Sequence, residues 1–207
     1  MPKGSEELTN ARKEEIINAC TVLYEKMRFK EITIKEISNF TSFARTSIYN
    51  YFQTKEEIFL ALLKREYECW VENLNAIIED NDTLTKDALA DALAHSLEKR
   101  TNMLKLLAMN LYDIEENSRL EALVEFKIAY GNSMTVVNKC LEKFCPEMTA
   151  LDKKEFTFAF FPFVYGIYPY SVVTEKQRKA MEKANVKFVY LSIYEIAYAG
   201  AKKLLGI

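Results

Sequence analysis

Residues 33–52 read TIKEISNFTSFARTSIYNYF. Ile34, Ile37, Phe43, Ile48 and Phe52 are expected to pack inward at helical spacing, which leaves Arg45, Thr46, Ser47, Tyr49 and Asn50 outside. Two short helices near 33–40 and 44–51, separated by a few polar residues, make a helix-turn-helix: the first helix braces, and the second offers its early side chains to base edges. An outward row of arginine, hydroxyls, asparagine and tyrosine is a hydrogen-bonding surface suited to that task. From Thr41 to Lys55 the only charged side chains are Arg45 and Lys55, so the stretch is locally positive. The chain as a whole is not: its net charge is -2, which excludes general basicity as the source of any DNA affinity.

Outward from this stretch the pattern stays helical. S/T-x-x-E/Q capping boxes, in which two side chains satisfy each other's exposed backbone donors, stand at Thr33–Glu36, Thr54–Glu57, Ser118–Glu121 and Thr174–Gln177, with a weaker Thr149–Asp152 variant. The spacing predicts about nine helices and no strands, over 8–27, 33–40, 44–51, 54–80, 84–99, 101–113, 118–144, 151–172 and 176–204. Five glycines and four prolines in 207 residues suit long helices with short connections. Helices are short before about residue 53 and long after it. The expected architecture is therefore all-α, with a three-helix DNA-binding domain over 1–53 and a larger helical domain over 54–207.

The run IYNYFQTKEEIF at 48–59, with ITIKEIS at 32–38 and Ile16, Ala19 and Phe29 upstream, resembles the TetR/AcrR family of transcriptional regulators. The resemblance covers roughly the first sixty residues, and beyond residue 65 only helix count and chain length agree. It implies that Thr33, Tyr49, Tyr51 and Lys55 hold phosphates and that Arg45, Thr46, Ser47 and Asn50 meet bases. A lysine in the first turn of a helix sits at the wrong pole of the dipole, so a phosphate partner is the expected reason for Lys55. Where the family often has Ala-Gly-Val-Ser in the turn, this chain has Thr41, Ser42, Phe43 and Ala44, which leaves Ser42 as an alternative cap.

The resemblance also implies a ligand-binding and dimerisation domain after residue 53. Phe156 to Thr174 carries no charge and is nearly long enough to span a bilayer, but Pro162, Pro169 and its tyrosines suit a bent helix buried in an interface better, and no membrane is expected. Its rings are too dense for one helical face, so some face a core and others a partner or a cavity. Trp70, Met103, Leu107, Tyr112, Phe126, Tyr130 and Phe163 are the candidate lining of a pocket for a lipophilic small-molecule effector. Two copies are expected to pair through residues 151–170 and 176–204 as a homodimer, presenting both reading helices to palindromic double-stranded DNA. A DNA-binding dimer whose second domain serves only assembly or protein interaction remains the alternative.

No enzyme, cofactor or metal site is expected. His95 is the single histidine and has no Ser, Cys or acid arrangement around it that would make a triad, and Cys20, Cys69, Cys140 and Cys145 have no metal-ligand spacing. The cysteines suit passive thiols in a reducing cytoplasm.

Overall fold

The long, well-capped apolar repeats fold as helices joined by short non-helical connections in this computed structural model, which describes residues 3–207. Eleven helices are present among them, and no strand: α1 (Lys3–Lys26), α2 (Ile34–Ser38), α3 (Arg45–Ile48), α4 (Lys55–Asp80), α5 (Lys86–Glu98), α6 (Thr101–Met109), α7 (Leu111–Glu116), α8 (Leu120–Phe144), α9 (Ala150–Ser171), α10 (Glu175–Lys183) and α11 (Ile193–Leu204).

Nine expected helices become eleven through two breaks. The stretch 101–113 divides at Asn110, whose φ of -142° and ψ of -4° interrupt the helical ladder before α7. The stretch 176–204 divides after α10, where Asn185 takes φ 54° and Val186 donates its N–H to Met181 O at 3.0 Å. That is a Schellman-type stop, with asparagine using the left-handed region it tolerates better than most residues. The chain resumes as α11 at Ser192, whose reciprocal bonds with Glu195 form a complete capping box.

Two compact units result. The first comprises the chain up to Tyr67 together with Asn110–Tyr130, and the second comprises Glu68–Met109 and Gly131–Ile207. In the first, Ile16, Tyr24, Phe29, Ile32, Ile37, Ile48 and Phe59 are buried, with Phe59 against the rings of Tyr24 and Phe29 at centroid distances of 5.2 and 4.7 Å. In the second, α11 packs on α5 and α9, and α6 also packs on α9. Its centre is Trp70, fully buried against Phe160 and Phe161, with the indole N–H donating to Ser96 Oγ at 2.9 Å. Burying a side chain of this size contributes about 3 kcal/mol.

Pro162 and Pro169 lie inside α9 without ending it, seven residues apart and both exposed. Gly200 lets α11 and α9 approach closely, because a Cβ there would lie 2.2 Å from the tip of the Phe163 ring. No single helix among the described residues is long and apolar enough to cross a membrane.

Candidate nucleic-acid interface

The reading segment is built on three buried isoleucines. Ile34 and Ile37 anchor α2, and Ile48 anchors α3, with Phe52 closing the end. Thr33 caps α2 by accepting the Glu36 N–H at 3.3 Å. Helix α3 is shorter than the sequence pattern suggests, but Tyr51 and Phe52 still donate to Ile48 O at 2.9 and 3.0 Å, so helical turn continues to residue 52. With Ile48 held inward, Arg45, Thr46, Tyr49 and Asn50 are exposed together and Ser47 is half-buried beside them. Arg45 Nη2 reaches the Tyr49 hydroxyl at 3.4 Å, one turn along the same face.

Three details revise the sequence reading. Ala44 is the residue before α3 and supplies no side-chain cap. Ser42 does not cap either: its hydroxyl donates to Glu15 Oε2 at 3.1 Å and its N–H to Glu15 Oε1, so the turn is tied back to α1. Phe43 is only half-buried, lying against Tyr51 with the Arg12 guanidinium 5.6 Å over its ring.

Lys55 has protein partners that explain its position without a phosphate. Its ammonium donates to Phe29 O at 3.0 Å and Ile32 O at 3.2 Å and lies 4.3 Å over the Phe29 ring, closing the loop between α1 and α2. Tyr51 is half-buried, and its hydroxyl accepts from Arg12 Nη1 at 3.2 Å. Arg12 thus joins the cluster from α1, a residue that motif spacing within 33–55 could not reveal.

Just beyond the reading segment, Glu57 is 1% exposed and gathers four donors. It accepts the Gln53 N–H at 2.8 Å, and from Arg119 the backbone N–H at 3.2 Å, Nε at 2.5 Å and Nη2 at 3.0 Å. Burial opposes its ionisation, but the hydrogen bonds from Arg119 and Gln53 outweigh that and hold the carboxyl below the usual glutamate range. The box expected at Ser118–Glu121 is replaced by this arrangement: Ser118 Oγ turns back to Ile114 O at 2.7 Å, and the Arg119 N–H goes to Glu57.

The candidate pocket residues divide between the two units. Trp70, Met103 and Leu107 are buried in the second, where Phe163 is half-buried. In the first, Phe126 is buried and packs with Tyr130 on the Tyr67 ring, at 5.8 and 5.7 Å from its centroid. Tyr112 is a correction, being 81% exposed: its ring points to solvent on α7 and lines no interior space. Within the second unit an open apolar groove of about 390 Å³ runs between α9 and the non-helical stretch that leads into α11, lined by Pro162, Phe163, Gly166, Tyr170, Val189 and Ile196 among others. Of the seven candidates, Phe163 alone is in that lining.

Three of the four thiols are buried, and burial pushes Cys140 up to about 12, so it stays protonated at neutral pH. His95 is exposed between Asp91 and Glu98, with its ring 4.5 Å from that of Tyr194.

Residues 64–192 match the sequence family described as tetracyclin repressor-like, C-terminal domain. No curated protein sequence matches the chain. Among solved structures the chain is similar to the transcriptional regulator FadR from Bacillus subtilis, in complex with stearoyl-CoA, with a TM-score of 0.61 and 16% identity over 94% of this chain and 98% of that one. It is also similar to the fatty acid degradation regulator FadR from Bacillus halodurans, with a TM-score of 0.62 and 12% identity over 94% of each chain. The resorcinol complex of RolR gives a TM-score of 0.57 and 16% identity over 95% of this chain and 96% of that one.

Proposed function

Because the chain belongs to the family with the tetracyclin repressor-like C-terminal domain, we propose that it is a DNA-binding transcriptional repressor, released from its operator by a lipophilic small molecule. In this reading residues 1–53 form the DNA-binding domain and 54–207 the dimerisation and ligand domain. Arg45, Thr46, Ser47 and Asn50 meet base edges, while Thr33, Tyr49 and Tyr51 contact phosphates. Lys55 serves the same end mainly by fixing the loop before α2, with a phosphate contact secondary.

The observation that carries the reading is the exposed row of Arg45, Thr46, Tyr49 and Asn50 raised over buried Ile48. An arginine flanked by a hydroxyl and a carboxamide on one short helical face matches the donor and acceptor pattern of the major groove. Pairing of two copies through α9 and α11 is supported by the apolar groove beside them, whose lining includes the exposed Tyr170 and Val189. A homodimer formed there would offer two reading heads to a palindrome. The bound molecules of FadR and RolR, stearoyl-CoA and resorcinol, are the reason to expect a lipophilic or aromatic effector here. The chain would then act in the cytoplasm, where operator and effector are both accessible.

Selection of random duplexes by the purified protein tests the proposal. The expected result is an enriched palindrome, with Arg45→Ala losing preference at one position in each half-site at a cost of about 1 to 3 kcal/mol. Failure to retain any duplex at low salt would overturn it. Thermal-shift measurements with stearoyl-CoA and resorcinol as probes address the sensor, and silence with every lipophilic compound tried would leave an assembly domain only.

A further inference from the structure

One carboxylate ties the exit of the reading segment to a distant stretch of the same compact unit. Gln53 lies just before α4 and Arg119 just before α8, and Glu57 accepts backbone N–H groups from both. Its charge therefore stands at the starts of two helices at once, where unpaired N–H groups and the helix dipole favour an anion. The Arg119 fork completes the cage by neutralising that charge, with the carboxylate buried and the guanidinium half exposed. Two neutral bonds reinforce the same junction: Thr54 Oγ1 donates to Asn117 O at 3.0 Å, and the Tyr24 hydroxyl donates to Asn110 Oδ1 at 3.0 Å. None of these groups belongs to the surface assigned above to DNA.

From this geometry we infer that Glu57 and Arg119 are a positioning pair, which holds the α2–α3 segment in its DNA-reading pose by locking its exit to the start of α8. Residues 110–130 are then a working part of the reading head. The inference rests on the DNA-reading function proposed above and adds two residues, neither of which touches DNA. The physical basis is the cost of a buried carboxylate that loses its partner: with Arg119 shortened, Glu57 must take up a proton, admit water or shift, and each response weakens its hold on the Gln53 N–H and so on the turn that precedes it.

The test uses Arg119→Gln, Arg119→Lys and Glu57→Gln, with two readouts on the full chain. Hydrogen exchange of the free protein is the first. Arg119→Gln is expected to speed exchange across 45–53, well away from the substitution, and Arg119→Lys to restore part of the protection. The second is affinity for the selected duplex, expected to fall about tenfold, with the double variant Glu57→Gln/Arg119→Gln no weaker than the worse single variant because both remove the same contact. The slope of log affinity against log salt should stay unchanged, since no phosphate contact is lost.

Unaltered exchange over 45–53 in Arg119→Gln would overturn the inference, as would a salt slope reduced by about one, which would make Arg119 a phosphate contact instead. If Arg119→Gln fails to fold, the graded response of Arg119→Lys in the same two readouts decides. Should the unaltered protein ignore duplexes, the regulator reading fails, while the exchange measurement still decides whether the pair positions the segment.

Discussion

The two compact units are held together by different kinds of force. The first relies on directional polar joints between segments far apart in the chain: Glu57 with Arg119, Lys55 with the Phe29 and Ile32 carbonyls, and Arg65 with Glu14, Asn18 and Thr21. The second has polar joints of its own, from Tyr194 to Asp91 and from Tyr198 and Lys202 to Asp87, but its centre is aromatic bulk, with Trp70, Phe156, Phe160 and Phe161 fully or almost fully buried and the Phe163 ring lying over Gly200. Hydrogen bonds to charged groups fix angles and register, whereas ring packing fixes volume and tolerates rearrangement. A surface that must match a groove to within an ångström needs the first kind of support. A domain that adapts to a partner or a ligand can use the second.

Four substitutions or titrations would break or sharpen this contrast. Trp70→Ala should have the largest effect, removing about 3 to 5 kcal/mol in denaturant unfolding, while the Ser96 hydroxyl keeps its bond to Leu93 O. A loss below 1 kcal/mol would mean that ring packing is not the main support of the second unit.

Glu57→Gln should cost about 2 kcal/mol at neutral pH, less than a fully buried pair because Arg119 is half exposed. The Glu57 carboxyl titrates below its ordinary 4.5 in the folded protein, so its stabilising contribution is complete above that value and disappears as pH falls through the lower folded value. The gap in melting temperature between the unaltered protein and Glu57→Gln should therefore narrow as pH falls below 4.5. A gap constant down to pH 3 would show that the charge contributes nothing.

Gly200→Ala should cost about 1 to 2 kcal/mol, since the Phe163 ring must swing away from the new methyl group. Sedimentation of that variant also probes the α9 and α11 face: dimer weakened beyond the loss of stability would tie the close helix approach to assembly. Gly131→Ala should have the smallest effect and the opposite sign. A Cβ at this position in α8 meets nothing within 4 Å, so helix propensity alone should raise stability by about 0.5 to 1 kcal/mol. Destabilisation would reveal a requirement for glycine that the packing does not show.

The reading segment was legible because its rules are local. Ile34, Ile37 and Ile48 at helical spacing determine which side chains face out, and the capping signals at Thr33, Thr149 and Thr174 all appear as caps in the structure. What escaped was set by contacts across the chain. Lys55 looked misplaced until the carbonyls of Phe29 and Ile32 appeared beside it, and Ser118 looked like a cap until Glu57 took over that task. The division of 176–204 was missed because Val186, Val189 and Ile193 keep an apolar rhythm through a stretch that is not helical. Ser192–Glu195 was a readable start signal there. Asn110 offered no such warning, and the exposure of Tyr112 followed from the break it introduces.

Trp70 is the chain's single tryptophan, and it is sealed from solvent with its indole N–H engaged. The protein thus carries a single indole, lodged in one unit and absent from the other, and excitation at the red edge of the absorption band, where its tyrosines do not absorb, selects it. Loosening that begins around Trp70 would redden the emission, while an event confined to the reading head would leave the light unchanged, so a cuvette can tell which half of the molecule has responded.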